Sequence, residues 1–175
     1  DTAQVNLIFT EPWVGELDQG TWQLLRDYLQ WAVYRDLRLE QGLAYSPSVE
    51  RSAYGSSSFF SINAEVARQD VAQTGQRLHQ LLQRLAKDGL DDATLERLRS
   101  VALARQNWMA QGNSALADTY WSSLGSYEEG RFADPAPELR KIHTAQLDAA
   151  LNLLLKQPSY LRVEQPLLST TGLYV

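Results

Sequence analysis

Arg38 and Tyr45 lie seven residues apart in the stretch LRLEQGLAYS, on either side of Gly42. A guanidinium carries five N–H donors in a rigid planar fork, and a phenol adds one hydroxyl. Both can therefore donate to carbonyl oxygens. Helical spacing closes at Gly42 and strand-like residues start at Leu43, which puts Arg38 near the end of a helix and Tyr45 two residues into the next strand. A cation suits the exposed carbonyls of a helix's last turn, and an aromatic suits a pleated surface. A binding use and a purely structural use both stay open at the level of spacing.

Other chemistry is sparse. The two histidines, His79 and His143, sit in HQLLQ and HTAQL, where no second histidine or glutamate stands at the spacing that places two ligands on one helical face. A metal site made within this chain is not expected, and His79, beside Leu78 and Leu82, reads as a boundary residue. No GxSxG elbow surrounds a serine, and neither GxGxxG nor GxxxxGK occurs. Asp91, Asp92, Glu128 and Glu129 fall at a helix start and in a loop, where capping and solvation account for them. Trp108, Tyr120 and Trp121 lie in a helical region and suit core packing.

The chain has 175 residues, 44% hydrophobic and 21% charged, which is the composition of one ordinary globular domain. A formal charge of -5 with no basic run argues against wide contact with a nucleic-acid backbone. The absence of cysteine excludes disulfides, thiolate metal sites and a cysteine nucleophile. No stretch has the roughly 20 apolar residues of a membrane span, and DTAQVNLIF lacks the basic start of a signal peptide. A first residue of Asp rather than Met suggests a processed product or a piece of something longer.

The elements that must position the pair follow from periodicity. Val5, Leu7 and Phe9 alternate as a strand, with Ile8 on its second face. From Thr21 to Glu40, Leu25, Leu29, Ala32, Val33 and Leu37 recur at helical spacing, and Gly42 is placed to end that helix. Leu43 to Glu50 and Ser56 to Val66 read as a hairpin joined through RSAYG. A second helix runs through Leu78, Leu81, Leu82 and Leu85 to Gly89, and Asp91 caps a third, with Leu90 packing back on Leu95. That helix passes Trp108, kinks or restarts at GNS, and continues to Gly125. The segment SYEEGRFADPAPE reads as a loop, Leu147 to Leu155 as a last helix, and YLRVEQ as a final strand. The expected fold is α+β, with helices packed on one face of a mainly antiparallel sheet, mixed strand directions being allowed.

Leu37-Arg38, Gly42-Leu43-Ala44-Tyr45, the preceding WAVYRD and the later FSINAEV resemble the C-terminal, non-zinc half-domain of the M16 zinc metallopeptidases, the pitrilysin, insulinase and mitochondrial processing peptidase family. The resemblance extends over most of the chain, including GLDDATLERLRS, which departs from the family pattern at Leu98-Arg99, a change expected to matter little. It implies a half-domain of the processing-peptidase type, residues 1–175 as one domain, within a longer chain or a two-subunit enzyme.

Family enzymes are clamshells of homologous halves, one carrying HxxEH on zinc and the other the arginine and tyrosine. The resemblance therefore implies no zinc in this chain, zinc in a partner half, and no activity alone. It gives Arg38 and Tyr45 the role of holding an extended peptide substrate, and Tyr45 that of stabilising charge on the scissile carbonyl. Tyr34, one turn before Arg38, is expected as a pocket wall. No membrane or nucleic acid is among the implied partners, and the resemblance favours a periplasmic location if the source is bacterial. A catalytically inactive scaffold or assembly subunit is the alternative, and a plain interaction domain a third reading.

Overall fold

The computed structural model describes residues 1–11, 19–54, 57–109, 112, 117 and 136–165. Strand β1 (Thr2–Thr10) leads to helix α1 (Gln19–Val33), which passes directly into a π-helix (Tyr34–Glu40). Strands β2 (Ser48–Tyr54) and β3 (Ser57–Ala67), a short 3-10 turn, helices α2 (Val71–Asp88), α3 (Asp92–Met109), α4 (Ala136–Leu139) and α5 (Thr144–Leu155), and strand β4 (Ser159–Glu164) follow. The expected restart of α3 after GNS, the body of the SYEEGRFADPAPE loop and the tail LLSTTGLYV lie outside the described residues.

The sheet has four antiparallel strands in the order β2-β3-β1-β4. Alternation along β1 dictates its two faces. Val5 lies between Ala64 and Val163, Leu7 between Ile62 and Leu161, and Phe9 between Phe60 and Ser159. This face meets the helices, and Val5, Phe9, Phe60, Ile62 and Ala64 join Leu25, Leu29, Leu78 and Leu151 in one core. The opposite face carries Gln4, Asn6, Asn63, Ser61 and Glu65, polar residues that are half-buried or exposed. The fold is the α+β sandwich anticipated from periodicity, with a sheet that is antiparallel among the described residues.

Three expectations are corrected, the first being core packing for Trp108, which is 74% exposed on α3. Leu43 to Glu50 is not one strand: pairing begins at Ser48, RSAY belongs to β2, and Ala44 makes an isolated bridge to Val66. Hydrophobic alternation marks residues that face the core, but not which of them complete a ladder. Arg99 is also not an idle surface change. Its side chain donates to the carbonyls of Leu139 (2.9 Å) and Ile142, and it pairs with Glu96, tying α3 to the turn after α4.

Asp91 caps α3 as expected, accepting the Thr94 amide at 2.8 Å and the Thr94 hydroxyl at 2.7 Å. Leu90 and Leu95 are both buried in the core. The Thr94 bonds hold the Asp91 carboxyl below the usual carboxylate range. A depressed value means the cap contributes stability above the unfolded-chain pKa of about 3.9 and loses it as pH falls through the folded value. Thermal midpoints at about pH 6 and about pH 3 should therefore differ less in Asp91→Ala than in the parent. An equal difference would show that the cap carries no acid sensitivity.

Candidate functional site around Arg38 and Tyr45

The helix containing Arg38 does not end as an α-helix. From Tyr34 the chain widens into a π-helix, and the Gln41 amide bonds to the Asp36 carbonyl at 3.0 Å, five residues back. Apolar spacing cannot reveal this change, because both helix types keep Val33 and Leu37 inward. Short π segments recur at functional sites. The Asp36 side chain is buried at 1% exposure, where its Oδ1 accepts Arg77 Nε at 2.6 Å and its Oδ2 accepts Arg77 Nη2 at 2.8 Å and Arg84 Nη2 at 2.9 Å. The Asp36 hydrogen bond and charge hold the Arg77 guanidinium still more firmly protonated than usual.

The chain then reverses sharply. Gly42 has a φ of +64°, a left-handed conformation in which a side chain would collide with its own backbone. An added Cβ would meet nothing within 4 Å, so the constraint is conformational rather than one of space. Gly42→Ala is expected to lower stability by about 1–2 kcal/mol, with Gly42→Asn milder because asparagine tolerates this region. Urea denaturation of the two variants checks the order, and equal midpoints would contradict it.

Past the glycine, the Leu37 carbonyl accepts two amides, Leu43 at 2.8 Å and Ala44 at 3.2 Å. Ala44 is buried against Val66, so the next side chain, Tyr45, turns outward and is 76% exposed. Gln30 of α1 clamps the far side, donating to the Pro47 carbonyl at 3.1 Å and accepting the Val49 amide at 2.7 Å. The Tyr45 segment is thus tied at both ends to the first helix.

The two residues do meet. The Arg38 guanidinium carbon lies 4.4 Å from the Tyr45 ring centroid, a cation–π stack. Among the described residues Arg38 has no ion pair, whereas neighbouring Arg35 pairs with Glu40 at 3.1 Å. A guanidinium stacked through its face keeps its in-plane N–H groups available. Both residues line an open hollow of about 400 Å³ that also includes Thr2, Gly42, Glu65 and Val66. Tyr34, 42% exposed at the start of the π-helix, is not among the residues lining it.

Sequence reasoning missed Asp36, Gln30 and Glu65. For Asp36 a signal existed, since a carboxylate on the inward face of an amphipathic helix must find a partner. Gln30 and Glu65 sit at ordinary positions in their elements, and only their tertiary neighbours give them a role.

The donors among the described residues do not suit zinc. No group of three or more His, Asp or Glu side chains among the described residues could hold a metal ion. His79 Nε2 lies 2.9 Å from Gln83 Nε2, and His143 stands at the N-cap of α5. No helix among the described residues is long and apolar enough to cross a membrane.

Comparison with known proteins agrees with the fold. No match was found among curated proteins. Among solved structures, a protease from Helicobacter pylori superposes with a TM-score of 0.82 at 17% identity, over 94% of this chain and 41% of that one. The periplasmic protease PqqL from Escherichia coli gives 0.77 at 18%, over 95% and 19%. A peptidase M16 inactive domain from Pseudomonas fluorescens gives 0.74 at 14%, over 92% and 40%. The chain thus spans a fifth to two fifths of the length of these relatives, and at such identities they establish the fold. The family model described as the peptidase M16 inactive domain matches residues 1–101, more than half of the chain and both members of the stacked pair, and the chain belongs to that family.

Proposed function

We propose that this domain is the substrate-holding half of an M16-type zinc metallopeptidase, presenting an extended peptide to a zinc-bearing half. The observation that carries the reading is the Arg38 guanidinium, stacked on the exposed Tyr45 ring and without an ion pair among the described residues. An extended peptide backbone offers carbonyl oxygens on one side at every second residue, and the fork of Arg38 can take one while the Tyr45 hydroxyl takes another on the same side. Preformed ties at Leu37 and Gln30 reduce the ordering cost of binding, which makes the donors more effective.

In this reading zinc and the general base belong to the partner half, in the same polypeptide or a separate subunit. That metal would supply Lewis-acid polarisation of the scissile carbonyl, and the Tyr45 hydroxyl of this chain would donate a hydrogen bond to the same oxygen. Tyr34 adds a flanking contact, so Tyr34→Ala weakens peptide binding less than Arg38→Ala. A periplasmic setting is supported by the description of PqqL as a periplasmic protease.

A mixed peptide pool separates the alternatives. Cleavage by this chain combined with the HxxEH-bearing half, and by neither alone, with strong loss in Arg38→Ala, is the expected result. Cleavage indifferent to Arg38 would favour the second reading, a non-catalytic scaffold half, which the inactive-domain character of the family also suits.

A further inference from the structure

We propose that Asp36 is a positioning residue for this peptide site: its carboxylate, gripped by Arg77 and Arg84 of α2, fixes the π-helical turn that sets Arg38 against Tyr45. The inference rests on the peptide-holding reading above and adds to it the part of the fold that keeps the pair in place.

A carboxylate at 1% exposure is costly unless its oxygens are paired. Asp36 uses both, taking the planar fork of Arg77 and a third donor from Arg84. Arg77 and Arg84 are seven residues apart on α2 and so share one helical face. The grip reaches across 41 and 48 residues of sequence, so it joins two separate helices rather than neighbours in one.

The main chain at the same place does the complementary job. The Asp36 carbonyl accepts the Gln41 amide that gives the turn its π spacing, and the next carbonyl, of Leu37, accepts Leu43 and Ala44. Side chain and backbone at residues 36 and 37 therefore hold opposite sides of one turn, with Arg38 as the next residue and Tyr45 as the residue after Ala44. A bidentate pair fixes direction as well as distance, and fixing a register is the best-attested use of a buried ion pair.

An ion pair kept only for stability would behave differently from one that sets the turn, and amide hydrogen exchange on the whole chain separates them. Arg77→Lys keeps the charge but removes the fork. A second variant, Asp36→Leu with Arg77→Met and Arg84→Met, removes all three charges and refills the space, which restores stability where buried charge alone is at stake. In both, exchange at Leu43 and Ala44 is expected to speed by roughly 10-fold or more while amides of β1 and β3 stay near parent rates.

Cleavage by the assembled two-half enzyme should fall in step, by roughly 10-fold or more in kcat/KM and mainly through kcat. Exchange at Leu43 and Ala44 that returns to parent rates once the urea midpoint returns would overturn the proposal. Loosened amides with unchanged cleavage would overturn it too. If Arg38→Ala also leaves cleavage unchanged, the peptide-holding reading falls with it, whereas loss in Arg38→Ala alone leaves that reading standing.

Discussion

Tyr45→Phe should lower kcat of the assembled enzyme by about 10²–10³-fold if the hydroxyl donates to the scissile carbonyl as proposed, the usual effect of removing one oxyanion donor. The substitution deletes one oxygen and leaves the ring, so the stack with Arg38 at 4.4 Å persists. The side chain is 76% exposed, and stability should therefore stay within about 0.5 kcal/mol of the parent. That separation makes the result interpretable. A fall of this size corresponds to roughly 2.7–4 kcal/mol of lost transition-state stabilisation. Steady-state kinetics on a single peptide and a urea melt of the same preparation provide both readouts. A rise in KM with kcat kept would mean the hydroxyl holds the peptide equally in ground and transition states. No change in either would remove Tyr45 from the chemistry.

Leu37→Ala should be the most destabilising change in the same turn, costing about 2–5 kcal/mol. Leu37 is fully buried in the core that joins the sheet to α1 and α2, and its truncation leaves a cavity that surrounding side chains cannot fill without shifting. Against a total stability of roughly 5–15 kcal/mol this is a large share. Arg38→Ala, one residue on, loses only a cation–π contact worth about 0.5–1 kcal/mol at an exposed site. Urea midpoints should thus fall sharply in the first and little in the second, while peptide cleavage should show the opposite order among the variants that remain folded. A mild Leu37→Ala, below about 1 kcal/mol, would contradict the burial of this turn.

The contrast between these neighbours shows how much of the site could be read from residue order. Val5, Leu7 and Phe9 reveal their strand, and Leu78, Leu81 and Leu82 their helix, because burial on one face imposes a period that a linear reading detects. Asp91 and Gly42 are equally legible, since a cap and a left-handed turn each demand particular residue types within a few positions. Arg38 and Tyr45 carry no such demand: spacing leaves a purely structural use open, and the resemblance to the M16 family is what singles them out.

Residue order misplaces the start of β2, because Ala44 faces the core like a strand residue while making only an isolated bridge. Residue order likewise conceals the role of Arg99, because its carbonyl partners, Leu139 and Ile142, come from a segment some forty residues away.

By itself, then, the order of residues determined the α+β class, the inward faces and the Gly42 turn, all of which depend on short-range periodicity and backbone sterics, whereas the two donors that flank the turn stood out only through the family resemblance. Tertiary structure alone decided that the helix widens at Tyr34, that Asp36 is buried under Arg77 and Arg84, that Gln30 pins Pro47 and Val49, and that Arg38 lies on Tyr45. Those contacts join residues up to 48 positions apart. Their free energy depends on which helix lands beside which turn, and that is settled only when the core closes.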